Sequence, residues 1–331
     1  MFLPFNIFRQ QLLDAAQASD FAKFSQLSSN HTSFVSRWKD LCTRGGDTVV
    51  HLSAQSGCLE VIKFYAESGN KLILEHRNLD GKTPLHVAAH SGQLQCLKYL
   101  LQCIVDVNAL KRADWTPLML ACTKPYLEIV KELLQHGASL DIVNKDGWTA
   151  FHIATREGHL DIVKFLLDSN HTVWNTTSKN GRTPLHTASL HGHLNVVELL
   201  VADAQYNINV KDSCGTTPLM DAAYGNHNHV LKYLISKGAI ADEVDKLGKN
   251  VLHISAETGN LESIKYLIEN SLIDINSQTT QGLTPLHFAY KENKVECVKL
   301  LLDLGSDTSI SDRQNRTALE YSKKADVRLC V

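Results

Sequence analysis

The chain has 331 residues, of which 33 are Lys or Arg and 35 are Asp or Glu, so its formal net charge is −2. This near-balance excludes a strongly basic nucleic-acid-binding arm or an acidic tail as the dominant feature. Apolar residues make up 44%, as in an ordinary soluble globular protein, and the 7 Pro and 18 Gly argue against long disordered linkers. The length fits two domains of average size or one elongated repeat domain.

Cysteine usage and the N-terminal sequence predict the compartment. The eight Cys, at positions 42, 58, 96, 103, 122, 214, 297 and 330, form no C-x-x-C pair and no zinc-finger spacing with histidine. We expect small buried side chains in a reducing compartment. Arg9 interrupts the only apolar stretch near the N-terminus, so we expect no signal peptide. Because no window of about 20 uncharged apolar residues exists, we expect a cytoplasmic or nuclear protein with no membrane contact.

The first predicted elements in chain order are two helices within residues 10–35. Apolar side chains recur at helical spacing in both segments: Leu12, Leu13, Ala15 and Ala16 in the first, and Phe21, Phe24 and Leu27 in the second. This pattern predicts a divergent N-terminal capping unit over residues 1–47.

An internal repeat follows the cap and decides the architecture. Its anchor is the tetrapeptide Thr-Pro-Leu-His or a close variant. The anchors begin at residues 48, 83, 116, 149, 183, 217, 250, 284 and 317, so successive anchors are 33 to 35 residues apart. Nine anchors in register predict a stack of equivalent units.

Each unit has a physical rationale. Thr caps a first helix, and Pro suits the first helical position because its missing N–H would be unpaired there. Gly158 and its equivalents turn the chain into a second helix with an apolar stripe, and Gly137-Ala138 and its equivalents end that helix. Asp146-Gly147 and similar pairs indicate a hairpin turn before the next anchor.

These anchors resemble the ankyrin repeat family over residues 48 to 320. Six of the nine anchors keep the His and five keep Thr-Pro-Leu. The resemblance implies an all-α ankyrin-repeat solenoid of about ten helix-turn-helix units with short β-hairpin fingers. It implies eight complete repeats over residues 48–316, a truncated C-terminal unit over residues 317–331, and a monomer that binds a protein partner.

The repeat register explains most of the 16 histidines without any chemistry. His51, His86, His152, His186, His253 and His287 share one scaffold position, where the imidazole would bond to neighbouring backbone. His191 and His193 are two residues apart, as are His227 and His229, and helical residues at that interval do not share a face. Nucleotide-binding and hydrolase motifs are absent from the sequence. We therefore expect no enzyme, no metal site and no cofactor.

Variable positions on the fingers and first helices predict a partner-binding surface. Its members are Arg112, Trp115, Lys145, Trp148, Arg156, Lys179 and Arg182. Trp is costly to expose to water, and Trp and Arg are favoured at binding hot spots. The alternative is a solvated face on which neighbouring fingers half-cover the two Trp. A nucleic-acid surface competes as well, but the net charge of −2 and the interleaved Asp146 and Glu157 argue against it.

Several stretches, including Ala113-Asp114-Trp115-Thr116 and Asn144–Trp148, resemble one member of the family more closely than its consensus. That resemblance implies a cofactor of alanyl-tRNA synthetase that accepts misactivated serine on lysine side chains and so supports aminoacylation fidelity. Lys145 matches one acceptor position. Arg112, with Lys111 beside it, stands at the second, and Asn175, with Lys179 four residues later, at the third. The alternative is a generic ankyrin adaptor or assembly scaffold without chemistry of its own.

One further resemblance concerns modification. Leu100 with Asp106-Val107-Asn108 resembles the ankyrin asparagines that cytosolic oxygenases hydroxylate, which makes Asn108 a possible hydroxylation site.

Overall fold

The computed structural model describes residues 4–30, 37–68, 71–103, 105–169, 175–202 and 207–322. The chain divides into two compact units, the first ending at Ser169 and the second beginning at Asn170. Within the described ranges the structure has 18 α-helices and no β-strand. The all-α ankyrin-repeat fold is therefore confirmed.

The first unit consists of helix pairs joined by short turns. Its α-helices are Phe5–Gln17, Phe21–Asn30, Val49–Ser56, Leu59–Glu67, Pro84–Ser91, Leu94–Gln102, Pro117–Ala121, Leu127–Gln135, Ala150–Glu157 and Leu160–Ser169. Two 3₁₀ helices, Trp38–Asp40 and Lys71–Glu75, connect them. The predicted capping segment forms the first two helices, and Phe24 packs edge-on against the rings of Phe64 and Tyr65 in the following repeat.

The second unit repeats the same arrangement. Its α-helices are Pro184–Leu190, Leu194–Ala202, Pro218–Tyr224, Asn228–Ser236, Val251–Thr258, Leu261–Glu269, Pro285–Lys291 and Val295–Asp303. A single 3₁₀ helix, Ala318–Tyr321, follows the last anchor. Residues 323–331 of the predicted truncated unit lie outside the described residues.

The helix termini match the chemistry of the anchors. The Thr183 side chain accepts a hydrogen bond from the His186 backbone N–H, and Pro184 occupies the first turn. Gly158 ends the helix Ala150–Glu157 with φ of 75°, a left-handed conformation that favours glycine. Gly137 and Gly238 end second helices with φ of 86° and 93°, as the Gly-Ala pairs predict.

The two helices of a repeat are buried differently. In the helix Pro84–Ser91, the buried residues are Pro84, Leu85, His86, Ala88 and Ala89, because this helix lies between the first helices of both neighbouring repeats. The helix Leu127–Gln135 buries only the stripe Ile129, Val130 and Leu133. The core of each unit is therefore formed by helix pairs of successive repeats packed side by side. The first helices position the adjoining fingers.

The six anchor histidines are buried, with no more than 1% of their surface exposed. In the first unit the backbone N–H of Thr48 donates to Nδ1 of His51. Since a backbone N–H can only donate, Nδ1 is the acceptor, and Nε2 carries the proton that it donates to the carbonyl of Lys82 at 2.9 Å. His86, His186, His253 and His287 make the equivalent bond to the finger one repeat later. These bonds confirm the scaffold role that the register predicts.

No helix within the described ranges is both long enough and apolar enough to span a membrane.

Candidate functional site

The fingers are tight turns of five residues that precede each anchor. In the finger 144–148, Oδ1 of Asn144 accepts hydrogen bonds from the backbone N–H groups of Asp146 and Trp148. Gly147 closes the turn with φ of 79°. The predicted fingers are present: the described ones contain no β-strand and close through turns, some of which have an isolated antiparallel bridge such as Lys111 with Trp115.

Backbone hydrogen bonds link successive fingers within the first unit. The Arg112 N–H donates to the Asp80 carbonyl at 2.8 Å, and the Lys145 N–H donates to the Ala113 carbonyl at 3.1 Å. Because their main chains are joined, the second residues of these fingers hold fixed positions relative to one another. Arg112 is exposed over 72% of its side chain, and Lys145 is also exposed.

Both finger tryptophans of the first unit are half-buried, and each lies beneath a cation of its own repeat. Nζ of Lys111 is 5.3 Å from the ring centroid of Trp115. The Arg156 guanidinium carbon is 5.6 Å from the ring centroid of Trp148, which also stacks on His152 at 6.3 Å. Cations over aromatic faces, rather than neighbouring fingers alone, thus cover the two rings.

Five of the seven predicted surface residues therefore lie on adjacent repeats of the first unit. Arg112, Trp115, Lys145 and Trp148 are on two linked fingers, and Arg156 is on the first helix that follows the second of these fingers. The other two, Lys179 and Arg182, lie on the first described finger of the second unit, where Lys179 is exposed.

Arg182 has an internal role that sequence reasoning missed. Its guanidinium donates to the carboxylate of Asp221 at 2.8 Å and to that of Asp212 at 3.3 Å. Asp221 and Asp212 are 3% and 5% exposed, and the Arg182 side chain is 20% exposed. Burial raises the pKa of Asp221 to about 7, against the lowering effect of Arg182. The sequence signal was Asp221 itself, an acid in the buried first helix of its repeat.

The finger 111–115 differs from the other described fingers of both units. Elsewhere the first residue is Thr, Asn, Ser or Asp, and its side chain accepts a backbone hydrogen bond inside the turn. Lys111 has no acceptor to offer. Instead of one Gly or Asn at positive φ, the turn places Ala113 at 66° and Asp114 at 60°. A non-glycine residue in the left-handed region costs about 1–2 kcal/mol.

The environment of Lys111 lowers the pKa of its amine. Partial burial is the largest cause, followed by the charge of Lys82, with Asp80 opposing and Arg112 contributing in the same direction. A lower pKa increases the fraction of neutral, nucleophilic amine near neutral pH.

Asn108 uses its whole side-chain amide to link two repeats. Its Nδ2 donates to the Gly137 carbonyl at 3.2 Å, and its Oδ1 accepts from the Ser139 N–H at 2.9 Å. Asn209 makes the equivalent acceptor bond from Ile240 N–H in the second unit. Asn175, at one of the matched acceptor positions, is exposed.

The described residues contain no group of three or more His, Cys, Asp or Glu side chains arranged to hold a metal ion. The rings of His191 and His193 stack with their centroids 6.3 Å apart, and the ring centroids of His227 and His229 are 6.0 Å apart. His229 Nε2 is 3.1 Å from the Gly192 carbonyl, a contact that explains its position by backbone bonding.

Comparison with protein families finds ankyrin repeats along most of the chain. A family model described as ankyrin repeats (3 copies) matches residues 12–111, 103–177 and 204–279. Two models described as ankyrin repeats (many copies) match residues 157–201 and 267–322.

Curated relatives share the repeats over short segments. An ankyrin repeat protein of Rickettsia bellii is 32% identical over 94 residues, covering 26% of this chain and 55% of the relative. An ankyrin repeat protein of fowlpox virus is 40% identical over 70 residues, covering 21% of this chain and 16% of the relative. NF-kappa-B inhibitor zeta of Bos taurus is 34% identical over 88 residues, covering 24% of this chain and 12% of the relative. The matched segments therefore span 55% of these relatives' lengths at most.

Proposed function

Because the chain belongs to the ankyrin repeat family, whose repeats form protein-binding scaffolds, we propose that it is a non-enzymatic, monomeric protein that binds its partner through the fingers of the first unit. The observation that supports this site is the pair of capped tryptophans, Trp115 beneath Lys111 and Trp148 beneath Arg156, on linked fingers. Trp and Arg are over-represented at binding hot spots. Lys179, exposed on the second unit, is a separate candidate contact for the partner, whereas the ion pairs of Arg182 favour a structural role for that residue.

The finer proposal names the partner. The stretches around Trp115 and Trp148 resemble ankyrin repeat domain-containing protein 16, a cofactor of alanyl-tRNA synthetase. By that resemblance this chain supports aminoacylation fidelity in the cytoplasm or nucleus. Lys145, which is exposed, and Lys111 are its serine acceptors, whereas Arg112 and Asn175 lack the required amine.

The acceptor chemistry needs only an activated acyl group and a neutral amine. The lysine nitrogen attacks the carbonyl carbon of seryl adenylate, and a C–N amide bond forms. The C–O bond to phosphate breaks, AMP leaves with the electron pair, and the proton lost from nitrogen passes to solvent. The lowered pKa of Lys111 favours this residue, and the synthetase would supply proximity for either lysine.

Mass spectrometry tests this proposal. The full chain is incubated with alanyl-tRNA synthetase, ATP and serine, and the lysine-containing peptides are searched for the added seryl mass. Lys145→Arg and Lys111→Arg keep the charge but remove the primary amine, so each should abolish the adduct at its own position and leave the complex intact. Complex formation without any adduct would favour the adaptor alternative, and the absence of a complex would remove the synthetase as partner.

A second proposal concerns modification of Asn108. Its side-chain bonds to Gly137 and Ser139 place it between two repeats, where a hydroxylating oxygenase would have to open the local structure first. Intact-mass analysis after incubation with an asparaginyl hydroxylase, compared with an Asn108→Ala variant, tests this site.

A further inference from the structure

The first unit contains a groove between its fingers and its first helices. The groove has a volume of about 260 Å³, and its lining includes Asp47, Asp80, Lys82, Leu79, Val87 and His90. We call it the Lys82 groove. Leu79 is 69% exposed, so its wall offers an apolar surface as well as polar groups.

Positive charges converge on the Lys82 groove. Lys82, Lys111 and Lys124 all lie close enough to His90 for their charges to lower its pKa, after burial as the largest cause. Lys82 and Arg112 likewise lower the pKa of Lys111. Lys82 lines the groove and Lys111, Arg112 and Lys124 lie beside it, whereas the lining acids Asp47 and Asp80 oppose these cations at His51 and Lys111.

The two acidic side chains in the lining of this groove only partly neutralise these cations. Asp80 is shared between Lys82 and Arg112, with both N···O distances at 3.8 Å. Asp47 accepts a hydrogen bond from Asn78 at 2.6 Å and contacts the hydroxyl of Thr43, so its carboxylate is held within the finger. The four cations Lys82, Lys111, Arg112 and Lys124 thus outnumber the two carboxylates of the lining, Asp47 and Asp80.

The conformation of the turn that contains Lys111 also indicates a functional site. At this position every other described finger has a side chain that stabilises its own turn, and here the finger has a cation instead. The replacement accompanies two non-glycine residues in the left-handed region, Ala113 and Asp114. Local backbone strain of this kind is typical of functional sites.

We propose that the Lys82 groove binds an acidic peptide segment, whose carboxylates pair with Lys82, Lys111, Arg112 and Lys124 while an apolar side chain packs beside Leu79 and Val87. This inference deepens the proposed function, because it gives the chemistry of the partner segment. A polypeptide fits better than a nucleic acid. Lys111 already covers a face of Trp115 on which a base would stack, and the chain carries a net charge of −2.

A direct binding assay tests the groove with the full chain. The probe is a short fluorescein-labelled peptide of glutamate and leucine, and its control has glutamine in place of each glutamate. Fluorescence anisotropy should show binding of the glutamate peptide that weakens with added salt, and at least about tenfold weaker binding of the glutamine peptide. Equal affinity for the two peptides would overturn the proposal.

Matched variants locate the binding site. The triple variant Lys82→Gln, Lys111→Gln and Lys124→Gln should bind the glutamate peptide at least about tenfold more weakly. The triple variant Lys164→Gln, Lys246→Gln and Lys265→Gln has the same net charge and should bind like the unchanged chain. The triple variant Lys82→Arg, Lys111→Arg and Lys124→Arg should preserve binding, which separates loss of charge from loss of fold. Equal weakening by both glutamine triples would mean non-specific charge attraction and would overturn the site.

His90 provides a local readout. Because nearby cations help to hold its pKa down, the glutamate peptide should raise the pKa of His90 measured by NMR, whereas the glutamine peptide should leave it unchanged. An RNA oligonucleotide of equal charge that bound as tightly as the peptide would overturn the polypeptide assignment. Synthetase binding is assayed separately: a complex without peptide binding refutes the groove, and peptide binding without a complex refutes only the named partner.

Discussion

A guanidinium nitrogen of Arg182 lies 2.8 Å from the carboxylate of Asp221, and the two residues are 39 positions apart in the chain. A second nitrogen of the same guanidinium reaches Asp212 at 3.3 Å. The cation thus balances two buried carboxylates in the second unit, which would repel each other without it.

We predict that Arg182→Gln lowers the free energy of unfolding by about 3–5 kcal/mol, because it leaves the buried Asp221 and Asp212 without their cation. Urea unfolding followed by circular dichroism measures the effect. Arg313→Gln is the matched control, since Arg313 lies exposed on another finger of the same unit. A loss no larger than that of the control would show that the buried pair adds little to stability.

The anchor histidines predict a loss of stability in acid. Burial lowers the pKa of His51, His86, His186 and His253 to about 4, from an ordinary value of 6.5. Between pH 6.5 and 4 the unfolded chain therefore takes up protons that the folded chain does not. The contribution of these histidines to stability should be full above pH 6.5 and fall as the pH falls towards 4, by up to about 3 kcal/mol for each histidine.

Urea unfolding across this pH range measures that loss. His186→Gln should lower stability at neutral pH and flatten the decline below pH 6.5, because one proton-linked group is gone. Gln135→Ala, at an exposed position without a titratable group, should leave the slope unchanged. A free energy of unfolding that stayed constant from pH 7 to 4.5 would contradict the buried neutral imidazoles.

The finger tryptophans should dominate partner binding. Trp115→Ala together with Trp148→Ala should weaken the complex with alanyl-tRNA synthetase by more than about 2 kcal/mol, the range of hot-spot residues. Isothermal titration calorimetry measures it. Leu247→Ala is the control, because it removes an exposed apolar side chain from a finger of the second unit. An unchanged affinity in the double variant would place the interface away from these fingers.

The strained finger predicts a stabilising substitution. Asp114→Gly should raise the free energy of unfolding by up to about 1 kcal/mol, because glycine adopts a φ of 60° without the steric cost that Asp114 bears. Asp146→Gly is the comparison, since Asp146 is not among the residues with positive φ. It should instead destabilise by about 0.5–1 kcal/mol through unfolded-state entropy. Destabilisation by both substitutions would contradict the strain.

The repeat register predicted the scaffold well because its causes are local. Thr183, Pro184 and Gly158 act within a few residues of the helix ends that they define. The role of Arg182 depends on Asp221, whose position becomes adjacent only when the repeats stack. The surface assignment of Arg182 therefore needed information that the finger's own sequence does not contain.

The positions of the two finger tryptophans could be predicted from the sequence, but their side-chain contacts could not. The anchor spacing located Trp115 and Trp148 on neighbouring fingers, whereas their cation partners depend on side-chain rotamers. The sequence does mark the turn at Lys111 as unusual, because Lys111 stands where other fingers have an acceptor side chain and Asp114 where they have Gly or Asn. It does not show that the backbone bonds are kept, with Lys111 N–H donating to the Trp115 carbonyl at 2.9 Å.

The bond from five of the anchor histidines to the next finger ends on a main-chain carbonyl. The residues that supply this oxygen are chemically unrelated: Lys82, Trp115, Thr216, Leu283 and Arg316. Any amino acid offers the same oxygen, so this link between repeats places no demand on the side chain at the position. Selection can therefore alter recognition here while leaving the inter-repeat bond untouched. A library randomised at positions 82, 115, 216 and 283 should accordingly yield mostly folded proteins with different binding preferences.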